Sequence, residues 1–501
     1  MALATVFALI VLSIFAIQAN KPPVYKTLAQ YQGQQLNWST CLETFTCATM
    51  YVPIDYTNLK TGSFNISLLK SAALLPKKRL GAIVVNPGGP GASGVAYAYN
   101  AEYILSPDIL DRYDIVGFDP RGVTRSSPIA CLDAAQTDAN YASDSKPNSA
   151  AEFNKAIVDS KDFVKKCLAK TKHLMHYSTA EAARDMDILR SALHEEKFNY
   201  LGKSYGTYLG TLYAQFFPTK VGRMVLDGAI DPNATIFEQN LSQAIGFERA
   251  LEAFIIDCQG KANCPLPKTI SAAKAAITEL FNATAKKPLH TKKKQNEKIQ
   301  RVVTQSLAVL GTASALYDNE SGWPQLRTAL AQAKLGYGDE FLALADSYTG
   351  RDAKGKYPTN AFDSGAVIGC LDWHDSRTIA EMHADVAVFT KAAPIFGPYL
   401  SYTGLTCKYF PPAPKDALTR TTNKITSITT APIIVIGTTR DPATPYKWAV
   451  GLNKIFLGSR LISLDADGHT GQGRGSTCVD GAIDAYFING ALPAKNLACS
   501  L

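Results

Sequence analysis

Between residues 40 and 85 apolar and polar positions alternate. Tyr51-Val52-Pro53-Ile54 and Phe64-Asn65-Ile66-Ser67-Leu68 have the period of two that marks half-buried strands. Ala82-Ile83-Val84-Val85 is a continuous apolar run of the fully buried strand type. It breaks at once into glycine punctuation, Asn86-Pro87-Gly88-Gly89-Pro90-Gly91-Ala92-Ser93-Gly94. A second short run, Tyr113-Asp114-Ile115-Val116-Gly117-Phe118, leads into Asp119-Pro120-Arg121-Gly122. Ser178-Thr179-Ala180-Glu181 has the form of a capping box and opens a helix with apolar positions Met186, Ile188, Leu189 and Leu193. Phe198-Asn199-Tyr200-Leu201-Gly202 reads as a strand running into a helix that ends before Pro218, and Met224-Val225-Leu226 as the next strand. Strands alternating with helices predict a mainly parallel α/β sheet.

From about Asn233 to Thr429 the period changes to that of helices. Leu241, Ala244, Ile245, Glu248, Leu251, Phe254 and Ile255 fall on one face, apolar except for Glu248, and Pro324 opens another helix through Leu326 and Leu330. Sheet texture returns in Pro432-Ile433-Ile434-Val435-Ile436-Gly437 and Arg460-Leu461-Ile462-Ser463-Leu464. The chain therefore divides into a sheet domain over 20–232, a helical cap over 233–429 and a second part of the sheet domain over 430–501. Residues 1–19 carry no charge and end Ala16-Ile17-Gln18-Ala19, the pattern of a secretory signal peptide.

Composition supports a globular, exported protein. Of 501 residues, 46% are hydrophobic and 19% charged, which excludes disordered, collagen-like and coiled-coil classes. The net charge of +8 is partly local, from Lys286, Lys287, Lys292, Lys293, Lys294 and Lys298. No nucleic-acid motif accompanies that cluster, so it reads as a solvated loop and nucleic acid is not an expected partner. No stable membrane association is expected either. Ten cysteines, an even number without C-x-x-C pairs or a matching histidine set, argue for disulfides over zinc. Spacing does not fix the connectivity; pairing between neighbours (41–47, 131–167, 258–264, 370–407, 478–499) is the simplest scheme. Six Asn-x-Ser/Thr sequons, at Asn37, Asn65, Asn233, Asn240, Asn282 and Asn319, would carry N-glycans in a secretory lumen.

Gly202-Lys203-Ser204-Tyr205-Gly206 is a G-x-S-x-G between a strand and a helix. Alone the motif is weak, but that context lifts a serine hydroxyl above the sheet edge. A serine is a poor nucleophile until an imidazole removes its proton, and a carboxylate must fix the imidazole tautomer. Asp441 and His469 follow in that order, each just after a strand, where open α/β sheets gather their sites. The attacked carbonyl also needs donors for its developing charge. The Tyr205 N–H is one candidate. The Gly-rich turn supplies the other from Gly88 or Gly89, because Pro87 and Pro90 have no N–H, and Gly89 is preferred. No metal, nucleotide or flavin cofactor is implied.

These segments, with Asp119-Pro120-Arg121-Gly122-Val123-Thr124-Arg125-Ser126, Gly202 to Thr207 and Val225-Leu226-Asp227-Gly228, resemble secreted α/β-hydrolases of the tripeptidyl and prolyl aminopeptidase group. The resemblance covers most of residues 40–500. It implies an α/β-hydrolase fold with a large helical cap, and a serine peptidase with Ser204, Asp441 and His469 as its triad. Thr124 departs from it, since the group usually has glycine there. Release of residues from peptide N-termini requires recognition of an α-ammonium, which the group performs with acids of the helical region. Glu238, Glu248, Glu252 and Asp372 are the candidates, and Trp373 and Tyr205 are candidates for an apolar side-chain pocket. Small peptides are thus the expected substrates. A carboxylester or lactone hydrolase is the alternative on the same site, and a non-catalytic binding protein on the same scaffold is a third reading.

Overall fold

The computed structural model describes residues 23, 25–42, 44–292, 300–411 and 424–501. The expected signal peptide and Lys293, Lys294 and Lys298 lie outside the described residues.

Ten strands form one sheet: β1 (Ser39–Leu42), β2 (Phe45–Pro53), β3 (Ser63–Ser71), β4 (Gly81–Asn86), β5 (Tyr113–Phe118), β6 (Phe198–Lys203), β7 (Val221–Asp227), β8 (Ile434–Arg440), β9 (Arg460–Asp467) and β10 (Leu497–Ser500). Their order is β1-β2-β3-β5-β4-β6-β7-β8-β9-β10. β1, β2 and β3 join antiparallel at one edge, and every pairing from β5 onward is parallel. The expected mainly parallel sheet is the observed one.

Burial follows the sequence periods. β4 is buried at all six positions, as a strand covered on both faces must be. β2 alternates, with Met50 and Val52 in the core and Tyr51 half-buried. One apolar cluster on the sheet includes Val84, Tyr200, Leu209 and Trp448, and another includes Val85, Leu201, Ile436 and Phe487.

Between β7 and β8 the described chain is mostly helical, from Ile236–Gln259 to Leu405–Lys408. This region has an apolar cluster of its own, with Leu251, Phe254, Phe281, Leu326 and Phe341. On the first helix Ala244, Glu248, Leu251, Phe254 and Ile255 are buried as their spacing predicts, while Ile245 is exposed. The helices Ala134–Ala142 and Ala150–Lys170, between β5 and β6, complete the core and were not anticipated from periodicity.

All ten cysteines are paired, in the neighbour scheme: Cys41–Cys47, Cys131–Cys167, Cys258–Cys264, Cys370–Cys407 and Cys478–Cys499. Among the described residues no helix is long and apolar enough to cross a membrane, and no group of metal-ligating side chains is assembled. Four sequon asparagines are engaged or buried: Asn65 bonds Arg125 and Ser127, Asn233 bonds Ile425, Asn319 accepts from Arg474, and Asn240 is buried. Asn37 and Asn282 are exposed.

Candidate active site

The site lies at the carboxyl ends of β4, β6, β7, β8 and β9. β6 ends at Lys203, and the helix Tyr205–Phe216 begins immediately, so Ser204 makes the whole turn. It does so at φ 54° and ψ −124°, a backbone conformation sparsely populated by residues with a Cβ. The flanking glycines serve close approach. A Cβ on Gly202 would meet the Tyr200 ring at 2.4 Å, and one on Gly206 would meet Asn86 Oδ1 at 2.8 Å. The glycines thus let the turn pack against β4 and β6, and the strained torsion falls on the serine. The Ser204 N–H donates to Asp227 O at 2.8 Å, and the Thr207 N–H to Ser204 O at 2.8 Å.

The Gly-rich turn after β4 sits against this elbow. A Cβ on Gly88 would come within 2.9 Å of Ser204 Cβ and 3.0 Å of Tyr205 N, so only glycine fits there. The Gly88 N–H is occupied, donating to Asn86 Oδ1 at 2.9 Å. Tyr205, the first residue of its helix, has no intrahelical acceptor for its N–H. Asp119, at the end of β5, holds the turn from behind: it accepts from Ser93 Oγ, from the Val95 N–H at 3.2 Å and from Arg125 at 3.1 Å. Burial raises the Asp119 pKa above the usual carboxylate range, opposed by Arg125.

Asp441 and His469 are brought together. His469 Nδ1 lies 3.0 Å from Asp441 Oδ1 and 2.9 Å from Oδ2. The carboxylate is fully buried and also accepts the N–H groups of Ala443 (2.9 Å), Thr444 (2.8 Å) and Thr470 (3.1 Å), and the Thr444 hydroxyl (2.9 Å). This donor set fixes its orientation, and the Nδ1 bond selects the tautomer whose Nε2 can take a proton. The helical region reaches the imidazole through Tyr317. Its carbonyl accepts the main-chain N–H of His469 at 2.9 Å, and its ring meets the imidazole edge-on with centroids 5.2 Å apart. Pattern reasoning missed Tyr317, which has no motif of its own.

The four acids expected to anchor an ammonium each have partners within the protein. Glu238 caps its own helix, accepting from the Thr235 N–H at 2.7 Å. Glu248 is buried, accepts the Ile395 N–H at 3.0 Å and stands 3.4 Å from Lys274. Glu252 pairs with the same lysine at 2.9 Å. Asp372 accepts the Thr179 N–H at 2.9 Å and the Thr179 hydroxyl, which in turn meets the Tyr205 hydroxyl. Through that chain the helix Ala361–Asp372 is fastened to the residue beside Ser204. Tyr205 and Trp373 are core side chains, and the Trp373 and Tyr208 rings meet at a tilt with centroids 4.7 Å apart. A cavity of about 690 Å³ is bounded by Tyr208, Phe237, Trp373 and Arg377, and neither Ser204 nor His469 lines it.

Thr124 keeps the backbone that a glycine would favour, at φ 45°. Its N–H donates to Asn360 Oδ1 at 2.7 Å, a bond between this turn and the helical region.

Residues 81–475 match the family model for the alpha/beta hydrolase fold. The chain belongs to that family. Among its relatives are the serine protease Hip1 of Mycobacterium tuberculosis, 33% identical over 493 residues that cover 93% of this chain and 91% of the relative, and carboxylesterase B of the same organism, 36% identical over 492 residues covering 93% and 90%. The tripeptidyl aminopeptidase of Streptomyces lividans is 29% identical over 493 residues, covering 93% and 86%.

Proposed function

We propose that the protein is a secreted serine aminopeptidase that releases short peptides or single residues from peptide N-termini through an acyl-enzyme. In this reading Ser204 attacks the scissile carbonyl and His469 takes its proton. Asp441 stabilises the imidazolium, and the N–H groups of Gly89 and Tyr205 receive the oxyanion. His469 then gives the proton to the leaving amine, and water repeats the sequence to free the acyl group. The observation that carries the reading is the bonded Asp441–His469 pair at the same sheet edge as a serine on a strained strand-to-helix turn. The helical region over 233–429 acts as the cap, its Tyr317 carbonyl and Asp372 carboxylate seating it on the site. Export is supported by five disulfides, which persist in oxidising compartments. Asn37 and Asn282 are the sequons best placed to carry glycans.

A carboxylester hydrolase on the same site is the second reading, favoured by the relative named carboxylesterase B. Hydrolysis of free-amine and N-blocked mono-, di- and tripeptidyl amides, beside short acyl esters, separates the two. Cleavage of free-amine amides that stops on N-blocking, and that falls by about 10⁴-fold or more in Ser204→Ala, is the expected result. Ester cleavage with every amide inert would select the esterase.

A further inference from the structure

Two motif residues that the triad does not use, Lys203 and Asp227, meet between the nucleophile and the histidine loop. Asp227 ends β7 and is fully buried. Its main-chain carbonyl accepts the Ser204 N–H at 2.8 Å. Its side chain accepts two consecutive N–H groups just after the catalytic histidine, Gly471 on Oδ1 at 2.8 Å and Gln472 on Oδ2 at 2.9 Å. Lys203, the variable residue of the elbow motif, donates to Gln472 O at 2.8 Å, and its Nζ stands 3.9 Å from Asp227 Oδ2. Thus one carboxylate and one ammonium grip three consecutive peptide units, 470–471 to 472–473; Lys203 precedes Ser204 in the chain, and the Asp227 carbonyl is bonded to the Ser204 N–H.

We propose that Asp227 and Lys203 form a latch that sets the position of His469 relative to Ser204, and that both are positioning residues for the reaction. The proposal rests on the reading of Ser204 and His469 as catalytic. Asp441 fixes the imidazole at Nδ1 and Thr470 at its N–H, but both contacts come from the β8 side. On the nucleophile side the loop is registered by Asp227 and Lys203. Burial raises the Asp227 pKa, and Lys203 with the two N–H groups opposes that shift. The carboxylate is bidentate toward two donors, and charge-assisted bonds of this type are about twice as strong as neutral ones. An asparagine offers one acceptor and turns its NH₂ toward the other N–H, leaving that donor unpaired in a buried site. The histidine loop then shifts, and a displacement of about 1 Å at a reacting group costs on the order of 100-fold in rate.

The test compares wild type, Asp227→Asn and Lys203→Met by steady-state hydrolysis of a free-amine tripeptidyl amide, by the rate at which a fluorophosphonate labels Ser204, and by thermal unfolding. For Asp227→Asn we expect kcat to fall by about 10- to 100-fold. KM should stay within about twofold, labelling should slow in parallel, and the unfolding transition should remain cooperative. Lys203→Met should show the same pattern more weakly. Wild-type rates of turnover and labelling in a folded Asp227→Asn would overturn the latch, as would a loss no greater than the loss of folded protein. Should Asp227→Asn fail to fold, Lys203→Met decides, and labelling at the wild-type rate there overturns it. Absence of labelling at Ser204 in the wild type would instead overturn the reading of the site on which the latch rests.

Discussion

Ser204 holds a torsion that costs a residue with a Cβ about 1–3 kcal/mol. The surrounding bonds maintain it: its N–H is tied to Asp227 and its carbonyl to Thr207, by both N–H and hydroxyl. The strain exposes the hydroxyl at the sheet edge, which is where the proposed reaction needs it. Ser204→Gly should therefore abolish turnover while making the protein more stable by about 1 kcal/mol, after part of the relief is offset by the freer unfolded chain. Denaturant unfolding of the two proteins checks this, and an unchanged or lower stability would show that the turn carries no strain. At this scale the sequence was most informative where chemistry demands an order of residues. Ser204, Asp441 and His469 stood out because each follows a strand. Glu248 did not reveal its partners, because the Ile395 and Phe396 N–H groups it holds lie nearly 150 positions away and carry no side-chain signal.

Among the elements, the helix Thr179–Ala192 shows how a local signal and a tertiary one compete. Ser178 caps it as expected, accepting the Glu181 N–H, but the Glu181 side chain does not close the box back onto the Ser178 N–H. It turns to His176 at 3.1 Å and to the buried Arg121 at 3.7 Å. Arg121 also pairs with Asp185 at 2.6 Å, so one guanidinium faces two carboxylates. A protonated His176 supplies the second positive charge. Its pKa is raised above 6.5, chiefly by the Glu181 hydrogen bond and against its burial. A raised folded-state pKa favours the folded protein when the imidazole is protonated. This contribution is fully present below about pH 6.5 and is lost as pH rises through the folded-state value. Stability measured across that range should thus fall with rising pH by an amount that His176→Gln removes. An identical pH dependence in the variant would mean that His176 is not linked to the Arg121 cluster. The motif around Arg121 was visible in the sequence, but its role was not, since nothing local tells a buried guanidinium from an exposed one.

For the whole molecule, a mainly parallel sheet gathers strand ends from distant parts of the chain, and the helical region is attached to them by specific contacts. Tyr317 touches the histidine, Asn360 supports Thr124, and Asp372 reaches Thr179 beside the elbow. The sheet and its helical interruption were legible because period-two and period-3.6 texture occupy separate stretches. The edge strands β1 and β10 were not, being four residues each and weakly patterned. The disulfides join neighbouring cysteines, at separations of 6 to 37 residues, a scheme that spacing alone left open. The account depends on one site formed by β6, β8 and β9 together. Its most direct test is peptide mapping of the protein after inactivation by a fluorophosphonate, which forms a stable adduct with an activated serine. The account predicts a single adduct on Ser204 in proportion to the activity lost, and no adduct when Asp441→Asn and His469→Ala disable the base. Full inactivation with the adduct on another residue would contradict it.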